Sequence, residues 1–504
     1  MRRLFAVLLA LSGASVLPAA TPSAPVAVPK AVTRKLHVHV MPWYETRTSS
    51  GNGAWGMHWT MANRNPDMIE ADGRRQIASY YYPLTGPYAS GDKDLIEYQL
   101  LLMKYSGVDG VLLDWPGSQA VWDYPKNRQN AEAMIRQTAK FGLKFAVVYE
   151  DHNLRMAHDA GLLPDMMTAA QQDMAYLRDN YFPRSNYIRL NSAPLLLDFG
   201  PQTFLTPGEW SGVFAPFTTK PTFLTLWYQS QQAGANAQGE FAWIYSDGMA
   251  GLDYFYANRP LGVKFGVAYP GFHTFYAAGG WGGPGWSLPY GSTFAATLDK
   301  AKAAALNAIQ VATWNDYGEG SMIEPTREFG YTFLTTLQQK FGVSAGQGDL
   351  QLIYKLYEQR KQYAGNAAKQ DQLDQAMYYL ASYQVAAARA ILDGAINEMP
   401  IGFFDVIYNG WAYGWAIDKQ TATTPVTIHV YIDGPAGGGG TLIGAVVADR
   451  PRPDVNSATG LPGNHGFAYP IPTQFHNQPH RLYLYAIDSW GGPNPLLPGS
   501  PRGF

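Results

Sequence analysis

The chain has 504 residues, too many for one ordinary hydrophobic core, so a catalytic-sized domain with at least one further unit is expected. A net charge of -2, with no run of Lys and Arg, leaves no electrostatic footprint for a polyanion, and no nucleic-acid partner is expected. The absence of cysteine removes disulfides, thiol nucleophiles and Cys-type zinc sites from consideration.

Residues 1–24 read as an export signal: Arg2 and Arg3, an apolar run from Leu4 to Leu17, then small residues around Ala19, Ala20 and Ala24. A secreted or periplasmic location is therefore expected. The run is shorter than the roughly 20 residues that span a bilayer, and no membrane span is predicted. Residues 25–34, rich in Pro, Ala and Val without periodicity, read as a disordered spacer.

From 35 to 345, short apolar runs alternate with helix-patterned segments, which points to βα units around a parallel sheet. Strands are predicted at Leu36–Val40, Ile77–Tyr82, Val108–Leu113, Lys144–Tyr149, Ala193–Leu197, Pro221–Trp227, either Tyr254–Tyr256 or Val263–Ala268, and Ala308–Thr313. Helices are predicted at Asp94–Tyr105, Asn130–Phe141, Thr168–Tyr181 and Thr293–Asn307. Roughly eight strands, with no Gly-rich phosphate loop after the first, favour a (β/α)8 TIM barrel over an open doubly wound sheet. Residues 346–400 keep helical spacing and are expected as a helical segment packed on the barrel. From 401 to 504 the pattern changes to short alternating strands, such as Val426–Ile432 and Arg481–Ile487, between Gly and Pro turns: a β-sandwich accessory domain.

In such a barrel the strands' C-terminal ends and the loops after them form the site. The stretch from Ala312 to Pro325 follows the last predicted strand and holds Trp314, Asn315, Asp316, Glu319 and Glu324. Two acids three residues apart on one loop can aim at one pocket, as paired carboxyl chemistry requires; Asp and Glu in such loops also cap helices. Other strand endings supply Trp43, Tyr44, Tyr82, Asp114, Trp115, Glu150, Trp227 and Tyr269, and a Gly-rich loop supplies Trp281 and Trp286. Charged residues make up 15% of the chain where about 25% is usual, while aromatics reach 14%. Aromatic plates with amides and acids suit a sugar's apolar faces and hydroxyl rim, so these residues are candidate substrate contacts, although many such aromatics serve only packing. His37 and His39 share one strand face; with His58 or His152 they form the rival expectation of a zinc-dependent hydrolase or deacetylase. No His-Glu-x-x-His helix supports it, and no metal or cofactor is predicted.

Trp314-Asn315-Asp316-Tyr317-Gly318-Glu319 resembles the signature of glycoside hydrolase family 71, the α-1,3-glucanases, and is similar to the corresponding Asn-Glu-Trp-His-Glu-Gly segment of family 99, the endo-α-mannosidases. Weaker pieces follow in order: Trp43-Tyr44, Tyr81-Tyr82-Pro83, Gly107 to Trp115, Glu150 and Tyr269-Pro270-Gly271-Phe272, covering roughly residues 36 to 335. The resemblance implies a barrel enzyme cleaving an α-linked glucan or mannan, with Asp316 as base, Glu319 as general acid and Glu150 in contact with substrate. Asp316 and Gly318 stand where family 99 has Glu and His, and the shorter Asp leans the expectation toward inversion through water. The expected partner is an oligo- or polysaccharide. The sequence carries no signal of oligomeric state, and a monomer is the working expectation. The alternative reading is a non-catalytic glycan-binding or cell-surface protein that keeps the barrel.

Overall fold

The computed structural model describes residues 24–394, 399–418, 424–488 and 494–504. The expected export signal lies outside the described residues except for Ala24. Eight parallel strands form a closed ring: β1 (Lys35–Val40), β2 (Gly110–Trp115), β3 (Lys144–Tyr149), β4 (Ala193–Asp198), β5 (Thr222–Leu226), β6 (Gly239–Phe241), β7 (Val263–Ala268) and β8 (Ala308–Val311). Each pairs with its neighbours in chain order, and β8 closes on β1 with Lys35 opposite Ala308 and Val38 opposite Val311. The TIM-barrel expectation holds.

The strands are apolar on both faces because helices cover the outside while side chains fill the inside. Leu36 and Val38 of β1, Val111 to Leu113 of β2 and Phe145 to Val148 of β3 are all buried. Helices follow the strands, among them Lys93–Tyr105, Tyr124–Thr138, Met166–Asn180, Thr293–Ala303 and Thr332–Phe341. Asp92 caps the first of these, accepting from the backbone N–H of Asp94 and Leu95.

Two predicted strands are corrected. Ile77–Tyr82 forms no strand: Ala78 N–H donates to Trp59 O, and Tyr82 N–H to a Glu328 carboxylate oxygen, so the segment is a loop fixed by irregular bonds. Tyr254–Tyr256 lies in the helix Ala250–Asn258, and Val263–Ala268 is the strand. The barrel strand absent from the sequence reading is β6. Gly239 opens it, and a Cβ there would stand 1.8 Å from Val263 O, so only glycine lets β6 lie this close to β7.

The expected disordered spacer is also corrected. Val26 N–H donates to Ala381 O at 3.1 Å, Ala31 to Gly342 O at 3.0 Å and Val32 to Phe341 O at 3.0 Å, while Lys30 Nζ reaches Asp109 at 2.5 Å. These long-range bonds order the segment without periodicity of its own.

Three helices follow the barrel: Gln347–Gln362, Ala367–Ala381 and Val385–Gly394. They divide between two compact units, residues 21–361 with 377–385 around the barrel and residues 362–376 with 386–504 around the sandwich. Within the barrel unit, Arg360 makes a bidentate pair with Glu97, 3.0 Å from Nε to Oε1 and 3.1 Å from Nη2 to Oε2, with both side chains buried. Burial holds the Glu97 carboxyl above its ordinary value even with Arg360 beside it. Arg360→Ala is expected to cost about 3–5 kcal/mol by stranding that carboxylate. A urea titration checks this, and a loss under about 1 kcal/mol would contradict it.

The sandwich unit has two antiparallel sheets. One runs β9 (Ile401–Tyr408), β10 (Trp411–Ile417), β14 (Asn464–Pro470), β13 (Arg450–Pro451) in spatial order; the other runs β12 (Thr441–Val447), β11 (Thr427–Ile432), β15 (Arg481–Ala486), β16 (Arg502–Gly503). Phe404, Ala412 and Phe467 of the first meet Ile428, Val430, Leu482 and Leu484 of the second in one buried core.

Candidate active site

The loop after β8 leaves the barrel at Thr313 and returns at Ile323 and Glu324. Thr313 N–H donates to Ser321 O at 2.8 Å, Ile323 N–H to Thr313 O at 3.0 Å and Glu324 N–H to Trp314 O at 2.8 Å. Asn315 ties the loop to the end of β1 in both directions: its Oδ1 accepts from Met41 N–H at 2.8 Å and its Nδ2 donates to Met41 O at 2.9 Å. Tyr44 adds a third tie, its hydroxyl donating to Asn315 O at 2.9 Å and accepting from Tyr317 N–H at 3.0 Å.

Inside this frame Asp316 is held from two sides. Its own N–H donates to Thr313 Oγ1 at 2.8 Å, and its Oδ1 accepts from Glu319 N–H at 2.8 Å. The carboxylate is buried, which pushes its pKa up to about 7; the Glu319 and Gly318 N–H groups pull it down and the Glu150 charge raises it again. Glu319 is held well above its ordinary value by burial, then by Asp316 and Glu150. Asp114 on β2 is raised well above the carboxylate range by burial, then by Glu150 and Asp316. The structure thus brings four acids from three strand ends within mutual influence at the mouth of the barrel: Asp114, Glu150, Asp316 and Glu319. Asp114 Oδ1 and Glu319 Oε2 are buried without a hydrogen-bond partner. Buried oxygens without a protein partner are rare in folded proteins, and water, a ligand or a proton shared with a neighbouring carboxyl completes their bonding.

Several expected contacts prove to be internal supports. Glu324 accepts four hydrogen bonds, from Gln99 Nε2 at 2.7 Å and Trp314 Nε1 at 3.2 Å on Oε1, and from the Tyr88 and Tyr317 hydroxyls at 2.8 and 2.9 Å on Oε2. Its capacity is used, and burial still holds its carboxyl above the ordinary value. Trp314 and Trp115 have no exposed surface, Trp115 lying stacked on Tyr176. Tyr269 is buried with its hydroxyl on Gly248 O at 2.8 Å. Tyr82 is clamped between the Arg74 and Arg327 guanidinium groups, 5.6 and 4.7 Å from its ring centre. The polar atoms of Asn315 and Tyr44 are spent on the loop ties. None of these offers a free face to a sugar.

Trp43 and Trp281 do keep accessible surface. Trp43 is half-buried, stacks on His58 at 4.2 Å and 7°, and has no partner for its indole N–H. Trp281 is 40% exposed, edge-on to His58 at 5.8 Å and tilted toward Tyr276 at 5.9 Å. Trp227 packs with Tyr228 and Phe255, and Trp286 stacks on Phe272 at 4.3 Å, both half-buried.

Three residues outside the expected acid pair and sugar contacts belong to this region. His58 bridges Trp43 and Trp281, and burial lowers its pKa to about 3, so it is a neutral ring. Tyr276 feels the Asp316, Glu319 and Glu150 carboxylates. Asp198, at the end of β4, is fully buried with both oxygens unpartnered and is raised by burial and by Asp151. A polar residue ending a strand was the one available signal, and it applies to Asp198 alone.

The histidines of the zinc expectation do not converge. His37 stacks on Phe265 at 6.0 Å and His39 lies edge-on to Trp243 at 4.8 Å, with burial lowering their pKa values to about 4 and about 3. Among the described residues no group of three or more His, Asp or Glu is arranged to hold a metal ion. Nor is any helix among them long and apolar enough to cross a membrane.

No protein-family model and no curated protein matches the sequence. Among solved structures, the chain is similar to the GH99 endo-alpha-mannosidase from Bacteroides thetaiotaomicron, at 17% identity over 61% of this chain and 95% of that one, with a TM-score of 0.47. The same enzyme in complex with bis-tris-propane gives 16% identity, 61% and 96% coverage and a TM-score of 0.48. A protein described as glycoside hydrolase-like gives 13%, 64% and 98%, and 0.46.

Proposed function

We propose that the protein is an extracytoplasmic glycoside hydrolase acting on an α-linked glucan or mannan, with Glu319 as general acid and Asp316 as base. The observation that carries the reading is the pairing of these two acids on one stitched loop at the barrel mouth, with Glu319 Oε2 buried and unbonded. Both are raised by burial, and the Asp316 and Glu150 charges raise Glu319 further, so Glu319 is placed to hold the proton and Asp316 to release its own. Glu319 gives its proton to the departing glycosidic oxygen. Asp316 takes a proton from water as the water oxygen bonds to the anomeric carbon, and the sugar leaves inverted. Sequence similarity of Trp314 to Glu319 with the family 71 signature supports the choice of α-linked polymers. Trp43 and Trp281 supply ring faces for the sugar.

The test is release of reducing ends from α-1,3-glucan and α-mannan, measured across pH. As the base must be ionised, kcat/KM is expected to rise with pH through the Asp316 ionisation near 7 and to fall again where Glu319 loses its proton. A rising limb near the ordinary carboxylate value of about 4 would contradict Asp316 as the base. Polymer retention without cleavage of any of these glycans would favour a binding protein.

A further inference from the structure

The loop after β7 is sewn to the acid loop at the two residues that matter most. His273 N–H donates to Glu319 O at 2.9 Å, and Phe275 N–H to Gly318 O at 2.7 Å. This delivers Tyr276 to the acid pair. A Cβ built on Gly318 would lie 2.9 Å from Tyr276 Cε1 and 3.4 Å from Asp316 Oδ1, so the ring lies over the bare Gly318 backbone beside the Asp316 carboxylate. Tyr276 is fixed at its backbone: its N–H donates to Thr274 Oγ1 at 3.1 Å, and its carbonyl accepts from Trp281 N–H at 2.8 Å. Its phenol oxygen, by contrast, makes no hydrogen bond among the described residues, although the ring is half-buried.

A tyrosine in this position has three uses: packing alone, an acid–base group, or a hydrogen-bond donor to a ligand. For packing alone phenylalanine would serve equally well, whereas the Tyr276 hydroxyl stands unburied and unused by any described residue, open to a ligand beside the carboxylates. Burial and the surrounding carboxylates hold the phenol far above its ordinary value, so it keeps its proton and does no acid–base work. What remains is a fixed neutral donor on the wall between the acid pair and Trp281.

We propose that Tyr276 determines substrate specificity by donating its phenol hydrogen bond to a hydroxyl of the glycosyl unit held beside Asp316 and Glu319, and that residue 318 is glycine to make room for that ring. The inference rests on the hydrolase reading above. Tyr276→Phe keeps the ring and removes only the donor, and is expected to lower kcat/KM about 10- to 100-fold. The loss discriminates further. For the analogue of the cleaved glycoside that lacks the contacted hydroxyl, found by running the monodeoxy series, wild type and Tyr276→Phe should turn over alike, which a merely structural role would not produce. Gly318→Ala displaces the ring and should cost a similar factor in wild type but little in a Tyr276→Ala background, because two changes at one contact do not add.

Equal activity of Tyr276→Phe and wild type on every glycoside, or additive losses for Gly318→Ala and Tyr276→Ala, would overturn the proposal. Glu319→Gln run in parallel separates the two readings. An inactive Glu319→Gln with an unaffected Tyr276→Phe removes Tyr276 alone, a fully active Glu319→Gln removes Glu319 as the general acid, and absence of cleavage by the wild type on every glycoside removes the hydrolase assignment. If Tyr276→Phe fails to fold, the monodeoxy series run on Gly318→Ala carries the test: its loss must vanish on the glycoside that lacks the contacted hydroxyl, and an equal loss on every glycoside would overturn the proposal.

Discussion

Glu319→Gln is expected to lower turnover by roughly 10²- to 10⁴-fold, the range that a positioned general acid contributes, with the fold intact. The amide keeps the shape of the side chain and removes its transferable proton. Asp316→Asn is expected to fall as far, for the complementary reason that an amide cannot accept the proton of water. A structural role for these residues would show the opposite pattern in stability. The pKa of Asp316 is raised on folding, so the unfolded chain releases that proton more readily than the folded one. Its contribution to stability is therefore greatest below the unfolded value of about 4 and is lost as pH rises toward 7. Asp316→Asn should then melt higher than wild type at pH 8 while being inactive, a separation that circular dichroism and a reducing-sugar assay read on the same preparation. An Asp316→Asn variant that melts lower and keeps its turnover would place the residue in the scaffold.

The second large effect concerns Glu324. With four donors converging on one buried carboxylate, Glu324→Ala strands two phenols, an indole N–H and an amide N–H at once. Each buried donor left unsatisfied costs about 1–3 kcal/mol, and with partial relaxation a total loss of about 3–5 kcal/mol is expected. Because Tyr317 and Trp314 flank Asp316, activity should fall as well, through a misplaced loop and not through lost chemistry. The midpoint of a urea titration and kcat/KM measured below that midpoint separate the two losses. Retention of wild-type stability would show that the donors find other partners.

The barrel was legible because most strands are unbroken apolar runs; Lys144–Tyr149 is buried from its second residue onward. β6 was not, for two physical reasons: it has three residues, and its middle one is Glu240, a fully buried carboxylate paired with Arg259. A charge satisfied by a partner 19 residues away looks, in one dimension, like a solvent-facing residue. Ile77–Tyr82 failed in the other direction, since its aromatics read as a strand but serve as clamps and stacking surfaces in a loop. The acid pair was visible as a motif because both members lie on one short loop. The roles of Asn315 and Glu324 were not, since their partners Met41 and Gln99 are 274 and 225 residues distant. Tyr276 was hidden for the same reason: what sets it apart is its neighbour, Gly318, which belongs to another loop.

The ties from Asn315 and Tyr44 have a meaning beyond holding one loop. They cross the seam where the last strand of the ring meets the first, so the acids are registered against residues from the opposite end of the barrel sequence. The placing of the pair is thereby made a property of the closed circle: a chain that has formed seven strands but not the final joint carries both acids without the ties that set them against each other.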